Sequence, residues 1–450
     1  MATSHSEHGL VRGFGLLEAT ALNMSNMVGV GPFLTIPLII ASMQGPQCML
    51  GWALGAILAL CDGMVWSELA AAMPGAGGTY HYLQRGFLGT RFGRLLPFLF
   101  IWQFICSGPL EIASGLIGFA QYVSYFWQDM TIWHTRAVII AAGAAVVALL
   151  YRKTGEVGKL TVILWVGMLA TVVWMIASGM FRFNAAIAFD FPPGAFEFSR
   201  GFALGLGSAM LIAMYDFLGY YDICYIGGEV KQPARTIPRA IIYSTIAVAL
   251  IYAVMNLSII GVVPWREAMV SKYIAADFME RIYGGWAGAL ITIMILWTAM
   301  ASVFALLLGY SRIPYAAARD GYFFAIFGEL HPTGQFPYVS LLVIGALSIL
   351  AGMMSLDWVI SALITARILV QFLGQIAVLF YIRARRPDIV LPFKMPLYPL
   401  PALIAIIGWL YVFGTAGLKF ILFGLGTLGV GIVLFLIWER TREKPAQLDS

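Results

Sequence analysis

Gly29-Val30-Gly31-Pro32-Phe33 sits in the middle of a stretch, Gly13 to Ala41, that is apolar enough and long enough to cross a membrane. Glycine is costly inside a helix, and proline removes a backbone donor and clashes with the preceding turn. The pentapeptide therefore predicts an interrupted span. In lipid an unpaired backbone amide costs several kcal/mol, so such a break persists only where protein, water or a ligand satisfies it. A second interruption, Tyr215-Asp216-Phe217-Leu218-Gly219-Tyr220-Tyr221-Asp222, falls inside the apolar stretch from about Gly201 to Gly228. Two broken spans in corresponding halves of a chain point to a transporter-type binding site near the bilayer midplane.

Composition agrees. The 450 residues are 61% hydrophobic and 11% charged, with a mean hydropathy of +0.86, well outside the range of soluble domains. At about 20 apolar residues per crossing, twelve segments are predicted. Their centres lie near Asn26, Leu60, Ser107, Ala142, Gly167, Met214, Leu250, Met300, Gly345, Val370, Ile407 and Gly429; they are called segments 1 to 12 below. The polar start Met1–His8 lacks a cleavable pattern, so segment 1 reads as a retained span. With the N-terminus inside, 19 basic residues fall on the cytoplasmic side and seven on the other, and Arg367 lies within segment 10. That bias predicts cytoplasmic termini and an even number of spans. It also makes the net charge of +5 a matter of topology, with no nucleic-acid partner. Cys48, Cys61, Cys106 and Cys224 all fall in predicted spans, which indicates no extracellular disulfide framework. The five histidines are scattered, without metal-ligand spacing. No nucleophile–base or metal constellation appears, so an enzyme is not expected.

Once the breaks are placed, motifs around them carry a resemblance. Segment 1 reads NMSNMVGVGPF (Asn23 to Phe33), segment 2 ends in SELAAAMPGAGGTYHYLQRGF (Ser67 to Phe87), and segment 6 exits into GGEVKQPARTIPRAI (Gly227 to Ile241). Segment 8 exits into GYSRIPYAAARDGYFF (Gly309 to Phe324), and RPDIVLPFKMPLYP (Arg386 to Pro399) precedes segment 11. In this order they resemble the amino acid–polyamine–organocation superfamily, specifically its amino acid permease-like members. Leu391 stands where those proteins usually carry an arginine.

The resemblance implies an all-α membrane protein of about twelve spans with a LeuT-like inverted repeat. Segments 1–5 (13–185) would be set against segments 6–10 (199–383), with discontinuous helices 1 and 6. Segments 11 and 12 (398–439) are then appended, between cytoplasmic tails at 1–12 and 440–450. The echo of Val11-Arg12-Gly13-Phe14 in Ser199-Arg200-Gly201-Phe202 fits such a repeat.

The chemistry of the breaks gives the candidate site. A broken helix presents free amides and a positive dipole end at the midplane. Pro32 takes the first helical position of the second half, where its missing donor costs nothing. Amides near Gly29, Val30, Gly31 and Phe33 would then grip a substrate carboxylate. Because Pro32 replaces an ordinary aliphatic residue of the family, the site has one donor fewer; a proline kink with packed glycines is the plainer alternative. In segment 6, carbonyls freed from Tyr215 to Leu218 would receive an ammonium, with Tyr215 and Phe217 as aromatic cover and Tyr220 nearby; for Tyr215, simple core packing is the alternative.

Carboxylates at bilayer depth, Asp216, Asp222, Glu111 and Asp62, normally face a partner or a watery cavity. Asp216, Asp222 and Glu111 would carry charge selectivity or protons; pairing with Arg367 is the structural alternative. Glu68, Glu229, Arg312 and Asp320 lie in the cytoplasmic loop motifs and read as gating or anchoring residues.

The expectation is therefore a secondary active transporter of amino acids or related amines in the plasma membrane. Ser107-Gly108-Pro109-Leu110-Glu111 and Tyr220-Tyr221-Asp222 resemble polyamine-transporting branches, so a polyamine or organic-cation carrier is the alternative. A nutrient sensor on the same fold is the third reading. No cofactor is expected. The coupling ion is expected to be a proton, with sodium, for which Ser302 is the one ligand, the weaker candidate; solute exchange without a coupling ion is the other option. Segment 5 (Thr161 to Gly179) has no basic residue, although some proton-coupled relatives carry a lysine there. The loop Gln128–Trp133 lacks the cysteine by which some family members join a heavy subunit, so the expected partners are a small-molecule substrate and the lipid bilayer.

Overall fold

The computed structural model describes residues 14–75, 77–151, 154–332 and 336–441, with 154–165 and 441 as backbone only. The expected tails, the Arg12 half of the echo and the Lys159 side chain lie outside the described residues.

All twelve predicted centres fall on helices. Segment 1 is split into Leu16–Met27 and Gly31–Met43, bent by 52°. Segments 2 to 5 are Met49–Ala72, Phe92–Phe126, Ile132–Leu150 and Thr154–Arg182. Segments 6 to 9 are Arg200–Phe217, Pro233–Ile260, Gly285–Tyr310 and Tyr338–Ala351. Segment 10 spans Leu356–Arg385 with a π-helical turn at Ile368–Leu373, and segments 11 and 12 are Leu400–Thr415 and Leu418–Thr441. Among the described residues no strand forms; one isolated bridge joins Phe14 to Val230.

Seven of the described helices are long and apolar enough to cross a bilayer, and the bent pair of segment 1 makes an eighth. Length and composition thus give eight spans where the sequence predicts twelve. Three of the other four are short, and of segment 5 only Val166–Arg182 enters the count. Segments 9 and 11 have 14 and 16 residues, about 21 and 24 Å of helix, short of a hydrocarbon core of about 30 Å. Segment 6 has only 18 residues before its break.

Burial sorts the bundle. In segments 3 and 10, 72% of the most apolar stretch is buried, against 22% in segments 4 and 12. The former run through the middle and the latter lie at the rim. Leu425, Val430, Val433 and Ile437 of segment 12 stay exposed; lipid tails are as apolar as leucine, so a bilayer covers such a face at no cost. The second half of segment 1 packs on segment 6, segment 2 on segment 7, and segment 3 on segment 8. Each therefore pairs with the segment five later, and the two breaks meet at the centre.

Candidate functional site

The first half of segment 1 ends where Val28 and Gly29 donate to Met24 O (2.8 Å) and Met27 O (2.9 Å). The second half starts at Gly31, with Pro32 in its first turn and Phe33 N donating to Val30 O at 3.1 Å. Both glycines are needed for close approach. A methyl on Gly29 would lie 2.8 Å from Ser302 Oγ, and one on Gly31 would collide with Asp216 Oδ1.

The break in segment 6 sits later than the sequence suggests. The helix continues through Phe217, so the carbonyls from Tyr215 to Leu218 are not all free. Tyr215 O accepts from Leu218 N (3.2 Å), and Asp216 O lies 3.0 Å from the Tyr252 hydroxyl. The interruption covers Leu218 to Tyr221, followed by 3-10 turns at Asp222–Tyr225 and Gly227–Glu229. Gly219 is its pivot. At φ +110° it adopts a conformation that side chains resist, and a methyl there would stand 2.8 Å from Asn26 Cβ and 3.0 Å from Asn26 C.

Buried side chains satisfy the opened backbone. Asn23, fully buried, donates to Tyr220 O at 2.6 Å and accepts from Ile223 N at 2.9 Å. Its amide replaces the helical bonds that segment 6 gives up. The Tyr252 hydroxyl lies 2.5 Å from Met27 O as well as near Asp216 O, so a single proton ties together carbonyls of both breaks. Neither Asn23, Asn26 nor Tyr252 was a predicted site residue. Two asparagines in an apolar segment are the signal that pointed to the first two; Tyr252 left none.

A small cavity of about 30 Å³ lies between the breaks. Of the predicted residues, Gly29, Val30, Gly31, Glu111, Tyr215, Asp216 and Leu218 line it, together with Asn26, Ser114, Ser302 and Leu306. Phe33, Phe217, Tyr220 and Asp222 do not. Phe33 is buried, with its carbonyl accepting from Tyr122 (3.0 Å); Phe217 packs edge-on to Trp52 and Tyr252. The Tyr220 hydroxyl donates to Asp62 at 2.6 Å. Tyr215 faces the cavity with its ring, and its hydroxyl lies 2.7 Å from Ser114 Oγ.

The four buried acids have different partners. Among the described residues no cation pairs with Asp62. It accepts from Trp66 (2.9 Å), Tyr220 (2.6 Å) and Trp409 (3.2 Å), joining segments 2, 6 and 11. Glu111 takes Arg367: Oε2 lies 2.8 Å from the guanidinium and also accepts from Tyr310 at 2.6 Å. Arg367 further donates to Ser107 and Tyr221, both at 3.2 Å. Asp216 accepts from Thr35 at 2.5 Å and Asp222 from Asn26 at 2.7 Å. The second oxygen of each, Oδ1, has no hydrogen-bond partner.

The loop residues stand apart from this cavity. Glu68 is fully buried; both its oxygens accept from Arg383 (2.7 and 2.8 Å), and Oε2 also accepts from Met395 N at 2.7 Å. Glu229 carries the backbone bridge to Phe14 (3.1 Å). Partial burial raises its carboxyl above the ordinary range, opposed by the nearby charge of Arg312. Arg312 caps the end of segment 8 through Leu308 O. Asp320, exposed, accepts from Tyr80 at 3.1 Å. These four tie loops together and leave the cavity to other residues.

Sequence comparison matches residues 14–437 to the amino acid permease family model. The chain belongs to the amino acid permease family. It is 23% identical to the branched-chain amino acid permease BcaP of Bacillus subtilis (strain 168), over 99% of this chain and 96% of that one. It is 24% identical to the serine/threonine exchanger SteT of the same organism, over 91% and 92% of the two chains. With the human cystine/glutamate transporter it shares 25% identity over 88% of this permease and 78% of the relative. This permease is thus a membrane transport protein, not an enzyme.

Proposed function

We propose that this permease is a secondary active transporter that moves amino acids or related amines by alternating access around the cavity between the two breaks. The observation that carries the reading is the direct contact of the breaks: Gly219 against Asn26, and Tyr252 against carbonyls of both. A cavity shared by two interrupted helices opens to one side or the other when one repeat rocks against its partner. In this reading the amides of Val30 and Gly31 receive a carboxylate, and Asp216 with the Leu218 backbone receives the amine.

The pairing of segments 1, 2 and 3 with 6, 7 and 8 supports two inverted repeats at 13–185 and 199–383, with segments 11 and 12 appended and twelve crossings in all. The basic-residue bias favours cytoplasmic termini in the plasma membrane. Relatives named for branched-chain amino acids and for serine/threonine exchange support an amino acid as the substrate and leave proton coupling and exchange as the two modes. Ser302, whose Oγ faces Gly29, is the one side chain noted for a sodium ion.

Purified protein in liposomes tests the reading. Uptake of labelled amino acids or amines is expected, driven by a pH gradient or by solute inside. No flux of any of these under either condition refutes it.

A further inference from the structure

The charges around the cavity do not balance. Glu111, Asp216 and Asp222 come from segments 3 and 6, and the one cation among them is Arg367. Arg367 is committed: it is 1% exposed, ion-paired with Glu111 at 2.8 Å, and hydrogen-bonded to Ser107 and Tyr221. Among the described residues, Asp216 and Asp222 accept hydrogen bonds only from neutral groups, although the charge of Arg367 also acts on Asp222. Asp216 is 2% exposed and holds only the Thr35 hydroxyl, from the second half of segment 1. Asp222 holds only the Asn26 amide, from the first half. On each, Oδ1 is buried and unpartnered. Among the described residues no Lys, Arg or His lines the cavity.

Asp216 also occupies the start of the second half of segment 1. Its Oδ1 abuts the Gly31 Cα so closely that a methyl cannot fit, and its Oδ2 takes the hydroxyl of Thr35 one turn on. That is the helix end whose amides and dipole attract an anion, and Pro32 has already removed one of its donors. A substrate carboxylate entering there meets a protein carboxylate. An ammonium entering there meets an acceptor that has no other partner.

We propose that the site takes a substrate of net positive charge, an amine whose cationic groups outnumber its carboxylates, with an ammonium or guanidinium seated on Asp216 Oδ1. This rests on the transport reading above. A buried unpaired carboxylate is expensive, and a cation delivered to it recovers Coulomb energy in a medium of low dielectric. A neutral zwitterion brings one charge of each sign and leaves the excess of acids unchanged. Two sources share the required chemistry: basic amino acids, whose two cationic groups outnumber their one carboxylate, and diamines, which have no carboxylate.

Competition binding to the purified full chain tests the charge preference independently of flux. Arginine is compared with citrulline, which has nearly its shape without the charge; lysine is compared with norleucine; and 1,4-diaminobutane is the carboxylate-free arm. Arginine and lysine, or the diamine, are expected to bind at least tenfold tighter than the neutral probes. A diamine as tight as arginine identifies carboxylate-free amines as the source; a diamine tenfold weaker identifies basic amino acids. Asp216→Asn is expected to shrink the preference to less than threefold. Citrulline or norleucine within threefold of its charged partner overturns the proposal, and so does no binding of any cation. Cation binding without flux in liposomes supports the charge preference and refutes the transport reading instead.

Discussion

The Glu111–Arg367 pair allows the sharpest test of the packing around the cavity. Arg367 is buried to 1% exposure, with Glu111 Oε2 at 2.8 Å and the rings of Phe104 and Tyr310 about its guanidinium at 5.9 and 5.8 Å. Glu111→Gln preserves the shape and removes the charge. Arg367 is then left with two hydroxyls at 3.2 Å, which satisfy its donors in part but not its charge. Breaking one side of a buried pair costs about 3–5 kcal/mol. Because Glu111 lines the cavity, the lower end applies, about 3 kcal/mol, roughly a hundredfold in the folding constant.

Arg367→Met strands Glu111 with Tyr310 as its donor and costs a similar amount. The double variant removes both charges from the interior and is expected within about 1 kcal/mol of the parent, since replacing a whole buried pair by apolar groups is often neutral. Unfolding midpoints in detergent for the four proteins close the cycle. If Glu111→Gln unfolds at the parent's midpoint, or if the double variant loses the sum of the two singles, the pair is not coupled and the reasoning fails.

Other consequences concern the breaks and the loops. Gly219→Ala forces a side chain into φ +110° and against the Asn26 backbone; strain of about 1–3 kcal/mol is expected to abolish flux in protein that still folds, and unchanged flux per folded molecule contradicts the contact between the breaks. Asn23→Leu leaves Tyr220 O and Ile223 N buried without partners, at about 1–3 kcal/mol for each. Hydrogen exchange from Leu218 to Tyr225 is expected to accelerate while segment 12 is unchanged; equal protection in both proteins removes Asn23 from this role. In the loop before segment 11, hydrogen bonds from Arg386 hold the Asp388 carboxyl below its ordinary range. A depressed folded-state value means that the pair's stabilisation is present above the unfolded carboxyl range and disappears as pH falls through the folded value. The pair is exposed, so Asp388→Asn is expected to lower the melting temperature slightly at pH 7 and not at all in strong acid. A larger effect in acid than at neutrality reverses the sign of this argument.

Much of the site was legible in the residues because backbone rules act locally. Gly29, Gly31 and Pro32 interrupt a helix whatever surrounds them, and the bend appears between Met27 and Gly31. Acids within apolar stretches announce themselves by their cost in lipid. The second break falls within the expected Tyr215–Asp222 stretch but starts three residues into it, because Tyr215, Asp216 and Phe217 carry no strong local preference. The helix continues through them until Gly219, where contact with Asn26 demands a positive φ.

The sequence by itself determined that the chain is a bundle of apolar helices with two interrupted segments, since hydropathy and helix-breaking residues are properties of short stretches. Only the tertiary structure decided which acid is neutralised and which is left open. Asp62, Glu111, Asp216 and Asp222 look alike in the sequence. Asp62 has one local partner, Trp66, but Trp409, Arg367, Thr35 and Asn26, one for each acid, lie between 181 and 347 residues away along the chain. Hydrogen bonds and ion pairs act only over about 3 Å, so their assignment waits until the fold has brought distant segments together.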